Sequence, residues 1–300
     1  MNKSFSLTWN ISDKDSKKTI KEFIKEQEIS KAALTDIKFN GGKILINGQE
    51  MNVRYRLQKD DHLHIIFPLE IPSEGVIRES IPLEIIYEDD YLLVVNKPAF
   101  MNTIPSREHP IGSLAGALLS YYDKIGLSAA THIVTRLDRN TSGLVLVAKH
   151  RHVHHMLSQQ QKSGLVKRTY IALVHGIVQD EYGTIEAPIG RKSDSIIERE
   201  VSSKGQFACT HYQLLQLYNG YSYIELRLET GRTHQIRVHM SHIGHPLLGD
   251  DLYGGDTSLI CRQALHCKRI AFLHPFQKKM LAFEIANPCD IEKLIKADHL

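Results

Sequence analysis

The chain has 300 residues, 42% of them hydrophobic and 24% charged, with a formal net charge of +3. That is enough chain for one sizeable core and a smaller accessory unit. Ordinary glycine and proline counts exclude a collagen-like or low-complexity class. No apolar run is long enough to span a bilayer, and the start, Met1 to Asn10, has no signal-peptide core, so the expected protein is soluble, cytoplasmic and monomeric. Cys209, Cys261, Cys267 and Cys289 form no C-x-x-C pair, which predicts reduced thiols and neither a zinc knuckle nor a redox motif.

In chain order, residues 1–70 read as a small α+β unit. Thr19 to Gln27 has helical spacing, with Ile20, Phe23 and Ile24 on one face. Ser30 caps a second predicted helix whose buried side is Ala33, Leu34 and Ile37, and Gly41-Gly42 ends it. Lys43 to Gln49 reads as a strand running into an Asn47-Gly48 turn, followed by a strand from His62 to Phe67. Residues 71–81, with Pro72, Ser73 and Gly75, read as a linker.

A second unit is predicted over residues 82–300. Leu83 to Tyr87 and Tyr91 to Pro98 read as strands around an acidic turn, Glu88-Asp89-Asp90. Leu144 to Ala148 is a buried strand, and His150 to Gly164 a helix with Val153, Met156 and Leu157 inward. Thr169 to Val178 is a further strand. Tyr212 to Leu217 and Tyr223 to Leu228 flank Asn219-Gly220, a hairpin signal. Closing strands fall near Ala264 to Ile270 and Lys279 to Ile285. Many strands with few, interspersed helices predict an α+β fold with a largely antiparallel mixed sheet flanked by helices.

Charge is unevenly placed. Between Thr131 and Tyr170 stand Arg136, Arg139, Lys149, Arg151, Lys162, Lys167 and Arg168, and the one acid is Asp138. Such a strip favours a polyanion, because phosphate neutralisation releases counterions. Asp138 lies in a polar loop that feeds a buried strand, between two arginines, with Thr141, Ser142 and Gly143 as a tight turn. A carboxylate placed so suits a nucleophile or a base, or else an ordinary loop salt bridge. Further on, Gly231 breaks a strand and Thr233 to Ile243 has helical spacing, so Arg237 faces the same way as Thr233. An arginine presented from a helix can clamp a carboxylate or phosphate in bidentate fashion.

These stretches together resemble the RluA-type pseudouridine synthase family. The likeness is carried by Arg136-Leu-Asp-Arg-Asn-Thr-Ser-Gly143, Lys167-Arg-Thr-Tyr-Ile-Ala-Leu-Val-His-Gly176 and Gly231-Arg-Thr-His-Gln-Ile-Arg-Val-His-Met240. Leu93-Val-Val-Asn-Lys-Pro98 precedes them, His245-Pro-Leu-Leu-Gly-Asp250 follows, and the likeness runs in order from Pro82 to Pro288. Several long motifs in order are far more specific than one short pattern. The first unit resembles an S4-like RNA-binding domain through Ile29-Ser-Lys-Ala-Ala33, Gly41-Gly-Lys-Ile-Leu-Ile-Asn-Gly48 and Leu57-Gln-Lys-Asp-Asp-His-Leu-His-Ile65.

The resemblance implies an isomerase that turns uridine into pseudouridine in structured RNA, most often large-subunit ribosomal RNA, with transfer RNA as the alternative. It implies Asp138 as the group acting on the flipped-out nucleotide, Tyr170 stacking on its base, and Arg237 pairing with the carboxylate. RNA contacts are expected from Arg136, Arg139, Lys149, Lys167, Arg168 and Arg232, and from Lys31 and Lys38 in the first unit. The reaction needs no cofactor and no metal. Thr135 stands where the family often has histidine, and Phe100 where it often has glycine; both are expected to reshape the RNA-contacting rim.

Two rival readings are weaker. A metal-dependent hydrolase would draw on His150, His152, His154 and His155 or on His239, His242 and His245, but no H-E-x-x-H or histidine–aspartate ligand pattern accompanies them. A binding-only protein with a dead synthase domain should have lost Asp138, Tyr170 or Arg237, and all three are present.

Overall fold

A computed structural model of the chain describes residues 4–72 and 74–297. The first unit holds β1 (Ser6–Asn10), α1 (Ile20–Glu26), α2 (Lys31–Phe39), β2 (Lys43–Ile46), β3 (Gln49–Glu50) and β4 (His62–Ile66), its sheet ordered β1-β4-β2-β3. Local chemistry sets these elements. Thr19 caps α1 in a box with Glu22, and Ser30 accepts from Ala33 at the start of α2. Ile46 pairs with Gln49 across Asn47-Gly48, both left-handed at φ 51 and 83, as a two-residue hairpin turn with the strands' own twist requires. Ile20, Phe23, Ile24, Ile37, Ile44, Leu63 and Ile65 make this unit's own core. β1 completes that sheet and has no counterpart in the sequence reading.

The larger unit follows with β5 (Glu84–Glu88), β6 (Leu92–Lys97), α3 (Leu114–Lys124), β7 (His132–Ile133), β8 (Ser142–Ala148), α4 (Arg151–Lys162) and β9 (Lys167–His175). Then come β10 (Tyr182–Glu186), β11 (Ile189–Arg191), β12 (Arg199–Val201), β13 (Cys209–Leu217), β14 (Tyr221–Leu228), α5 (Gln235–His242), β15 (Leu265–Leu273), β16 (Met280–Glu284) and α6 (Cys289–Ala297). The main sheet runs β10-β13-β14-β9-β15-β8-β6-β5, with β16 on β15 and β7 on β8. Its pairs are antiparallel except β15 with β8, so the α+β expectation of a largely antiparallel mixed sheet holds. β8 is buried at every position, which is why it reads as a continuous apolar run. Sequence periodicity misses α3 and α6, although Leu114, Leu118 and Tyr122 are spaced as one helical face and are buried as one.

Glu70, at the edge of the predicted linker, and Glu79, within it, are both fastened to the larger unit. Glu70 pairs with His132 and accepts from the backbone of Ala130 and Arg151, so it also caps α4. Glu79 accepts from Gly112 at 2.8 Å and lies against Gly116 of α3. The two units also meet through aromatic packing: Phe5 stacks on His150 at 4.1 Å, Phe67 on His152 at 5.4 Å, and Arg151 bridges to Asp36 at 2.8 Å.

Candidate active site

Asp138 is delivered by the loop that enters β8, and three distant side chains, Thr103, Lys97 and Arg262, grip that loop by its backbone. Thr103 donates to the Leu137 carbonyl at 2.6 Å and accepts from the Leu137 amide at 3.2 Å. Lys97 Nζ donates to the Arg139 carbonyl at 3.2 Å, and Arg262 Nη1 to the Asn140 carbonyl at 3.1 Å. Thr141 donates its amide to the Asp138 carbonyl, closing the turn, and its hydroxyl accepts from Gln263. Gly143 (φ +117) then brings the backbone against Cys267 of β15, where a Cβ would lie 2.3 Å from a carbonyl oxygen. A loop held at consecutive carbonyls has little freedom to move its one carboxylate.

Lys97 is fully buried at the end of β6, and its Nζ also reaches the carbonyls of Pro98 and Met101 at 2.8 Å. Burial pushes its ammonium down to about 7, with nearby Asp138 opposing. Its three carbonyl acceptors match the three donors of the charged form.

Arg237, on α5, is fixed from behind. Its Nε and Nη2 each lie 2.7 Å from Asp250, whose side chain is 0% exposed, and its guanidinium sits 4.8 Å above the Tyr253 ring. The remaining nitrogen, Nη1, reaches Asp138 at 3.4 Å. Arg237 is therefore shared between two carboxylates, and the bidentate partner is Asp250, not Asp138. The helix starts two residues later than its spacing predicts: His234 precedes α5 in the left-handed region at φ 57, a strained conformation for this residue type. His234 Nε2 lies 3.8 Å from Asp138, and Nδ1 lies 2.8 Å from the Tyr253 hydroxyl. Burial lowers the His234 imidazole, with Asp138 opposing. Gln235 folds the preceding turn by accepting from the Arg232 amide and donating to the Cys209 carbonyl.

Thr103, Asp138, His234, Gln235 and Arg237 line a pocket of about 540 Å³. Asp138, Tyr170 and Arg237 meet there, together with Arg136, Arg139, Arg168 and Arg232. Among the described residues Asp138 is the one carboxylate lining it. Tyr170 is a buried residue of β9 that still reaches the pocket wall, and burial raises its hydroxyl.

Several sequence expectations are corrected. Lys149 is buried, paired with Glu88 at 2.6 Å and bound to the Asp89 carbonyl, so it braces the β5–β6 turn and is spent as an RNA contact. Thr135 is not a rim residue: it is fully buried, and its hydroxyl accepts from the Leu146 amide. Phe100 is half exposed at φ 65, a left-handed backbone that glycine adopts more readily. Lys167, Lys31 and Lys38 are exposed but lie outside the pocket lining. Neither histidine cluster gathers into a metal-ligand group among the described residues. His239, for example, is spent on Thr210 and the Ala187 carbonyl. Residues missed by the sequence reading are Lys97, His234, Asp250 and Tyr253. Asp250 and Lys97 do lie in quoted motifs, yet nothing in their spacing tells which side chain they meet.

Comparison with known proteins identifies the family. The RNA pseudouridylate synthase family profile matches residues 91–242. The chain is 51% identical over 281 residues to the uncharacterized RNA pseudouridine synthase YjbO of Bacillus subtilis, covering 94% of this chain and 99% of that one. It is 37% identical to ribosomal large subunit pseudouridine synthase D of Neisseria meningitidis, over 85% of this chain and 71% of the relative. Among solved structures, human RNA pseudouridylate synthase domain containing 1 superposes with a TM-score of 0.58 at 25% identity, covering 74% of this chain and 96% of that one.

Proposed function

Because this chain belongs to the RluA-like family of RNA pseudouridylate synthases, and so is an isomerase acting on RNA, we propose that its pocket receives a flipped-out uridine of large-subunit ribosomal RNA on which Asp138 acts. The observation that carries the reading is the single carboxylate, Asp138, in a pocket otherwise rich in arginine and walled by Tyr170. The isomerisation breaks the bond from ribose C1′ to uracil N1, turns the base, and joins C1′ to C5. The proton lost from C5 balances the one gained at N1, so nothing is oxidised or reduced.

Asp138 faces the sugar and serves as the nucleophile at C1′ or as the base that removes the C2′ proton. Uridine deuterated at C2′ separates the two: a primary isotope effect on turnover marks the base, and its absence the nucleophile. Arg237 Nη1 holds the carboxylate, while Arg136, Arg139, Arg168 and Arg232 offset by phosphate contacts the few kcal/mol that flipping costs. RNA carrying tritium on uracil C5, transcribed as large-subunit ribosomal RNA and as mixed transfer RNAs, tests the assignment. Release from the ribosomal RNA supports it, and release from transfer RNA alone overturns the substrate.

His234 is expected to position Asp138 from the strained turn. His234→Ala should lower kcat by about 10–100-fold with RNA affinity held within threefold, since a small misplacement of a reacting group costs about that much. An unchanged kcat would remove His234 from the site.

The first unit is proposed to bind RNA as an S4-like domain. Lys31 and Lys38 are exposed on α2, with Lys38 4.7 Å above the exposed Phe39 ring. Lys31→Glu/Lys38→Glu should weaken RNA binding and reduce the slope of log K against log salt by about 1–2, with single-turnover chemistry at saturating RNA unaltered. An unchanged slope would show that neither lysine touches phosphate.

A further inference from the structure

The strands β13 and β14 bring together three donors that no sequence spacing announces: Cys209, His211 and Glu229, whose ligand atoms all lie within 4.8 Å of one another. Cys209 Sγ is 3.7 Å from His211 Nε2, and that nitrogen is 2.8 Å from Glu229 Oε1. A tetrahedral zinc, about 2.3 Å from sulfur and about 2.0 Å from nitrogen, sets those two donors about 3.5 Å apart. The first separation thus already suits a shared cation. The second must open by about half an ångström, and the Glu229 side chain, 58% exposed, has room to give it.

Two further features fit a ligand set rather than a chance ion pair. His211 Nδ1 is 2.8 Å from the Thr184 hydroxyl on neighbouring β10, an outer partner that fixes the ring and leaves Nε2 facing the other two donors. Cys209 is buried, His211 half-buried and Glu229 exposed, so a cation enters from the Glu229 side and keeps a position for water. The acids Glu229 and Glu186 both face Cys209, a field that favours a cation; Lys167 is the opposing charge near Glu229.

We propose that Cys209, His211 and Glu229 form a binding site for Zn²⁺, the divalent ion that thiolate, imidazole and carboxylate together suit best. Binding exchanges the thiol proton for the metal and forms a zinc–sulfur bond, with no redox step. The place in the fold gives the site reach. The Cys209 carbonyl accepts from Gln235, the Cys209 amide donates to Thr230, and Glu229 precedes the Thr230–His234 turn that leads into the pocket. A bound cation ties β13 to the end of β14 at the point where the chain turns into the active site.

The test uses full-length protein stripped with chelator and titrated with zinc chloride against a chromophoric zinc indicator. One equivalent is expected for wild type. Cys209→Ser and His211→Gln should each weaken it by about 100-fold or more, and Thr184→Val by about tenfold. Cys261→Ser/Cys289→Ser, which removes the two exposed thiols, should bind as wild type. Thermal unfolding without metal checks that each variant is folded. With Co²⁺ in place of zinc, wild type should show a thiolate-to-cobalt charge-transfer band that Cys209→Ser lacks. Wild-type binding no tighter than that of Cys209→Ser and His211→Gln, loss of binding in the Cys261→Ser/Cys289→Ser protein, or a cobalt spectrum without the thiolate band would each overturn the site.

Discussion

Asp138→Asn is expected to lower tritium release from C5-labelled RNA by about a thousandfold or more, while RNA affinity stays within threefold and thermal unfolding is little changed. The amide keeps the size of the carboxylate and can neither attack C1′ nor take a proton. The backbone around it is held by Thr103, Lys97 and Arg262 through main-chain carbonyls, so the substitution leaves the loop's anchors in place. On the proposed reading affinity rests on the arginines that line the pocket, which the change does not touch. Residual release within tenfold of wild type would deny Asp138 its role. Loss of the folded state would make it a structural residue instead.

The second large effect is expected at Asp250. Asp250→Ala removes both 2.7 Å bonds to a guanidinium whose side chain is only 8% exposed, leaving Arg237 buried without its main partner. Breaking a buried pair from one side costs about 3–5 kcal/mol, which denaturant unfolding will read as a lowered midpoint. The released arginine is then free to close on Asp138, now 3.4 Å away, and compete with substrate for the carboxylate. Turnover should therefore fall with stability. Arg237→Met/Asp250→Leu separates the two consequences: apolar replacement of a buried pair is often neutral or better for stability, so the double variant should regain most of the folding free energy and none of the turnover. A double variant as unstable as the single would show that the pair is not a coupled unit. A double variant with wild-type turnover would show that Arg237 serves packing alone.

The parts of the fold legible in the sequence were those with a local physical cause. Thr19 with Glu22, and Ser30 with Ala33, satisfy helix donors within one turn of chain. Asn47-Gly48 takes left-handed backbone that few other pairs tolerate. α3 was missed because its buried face, Leu114, Leu118 and Tyr122, sits among other apolar and small residues, which blurs the helical period; α6, a short amphipathic helix that buries Ile291, lies past the last strand read from the sequence. The linker expectation followed composition, whereas Glu79 within it and Glu70 at its edge find partners 33 to 81 residues away.

The same division runs through the site. Ordered motifs around Asp138, Tyr170 and Arg237, the first within and the second at the end of a basic strip, were enough to indicate family and reaction, because that chemistry needs particular residue types in particular loops. Sequence by itself could not tell which cations are free. Lys149 belongs to the same basic strip as Arg136 and Arg168, and only the packing of the β5–β6 turn shows it spent on Glu88. Nor could sequence reveal that Arg237 is anchored on Asp250, that His234 holds a strained turn beside Asp138, or that Cys209, His211 and Glu229 converge. Those facts depend on long-range register, in which strands and helix ends far apart in the chain are set side by side. A one-residue slip in β13 would turn Cys209 and His211 to the opposite face.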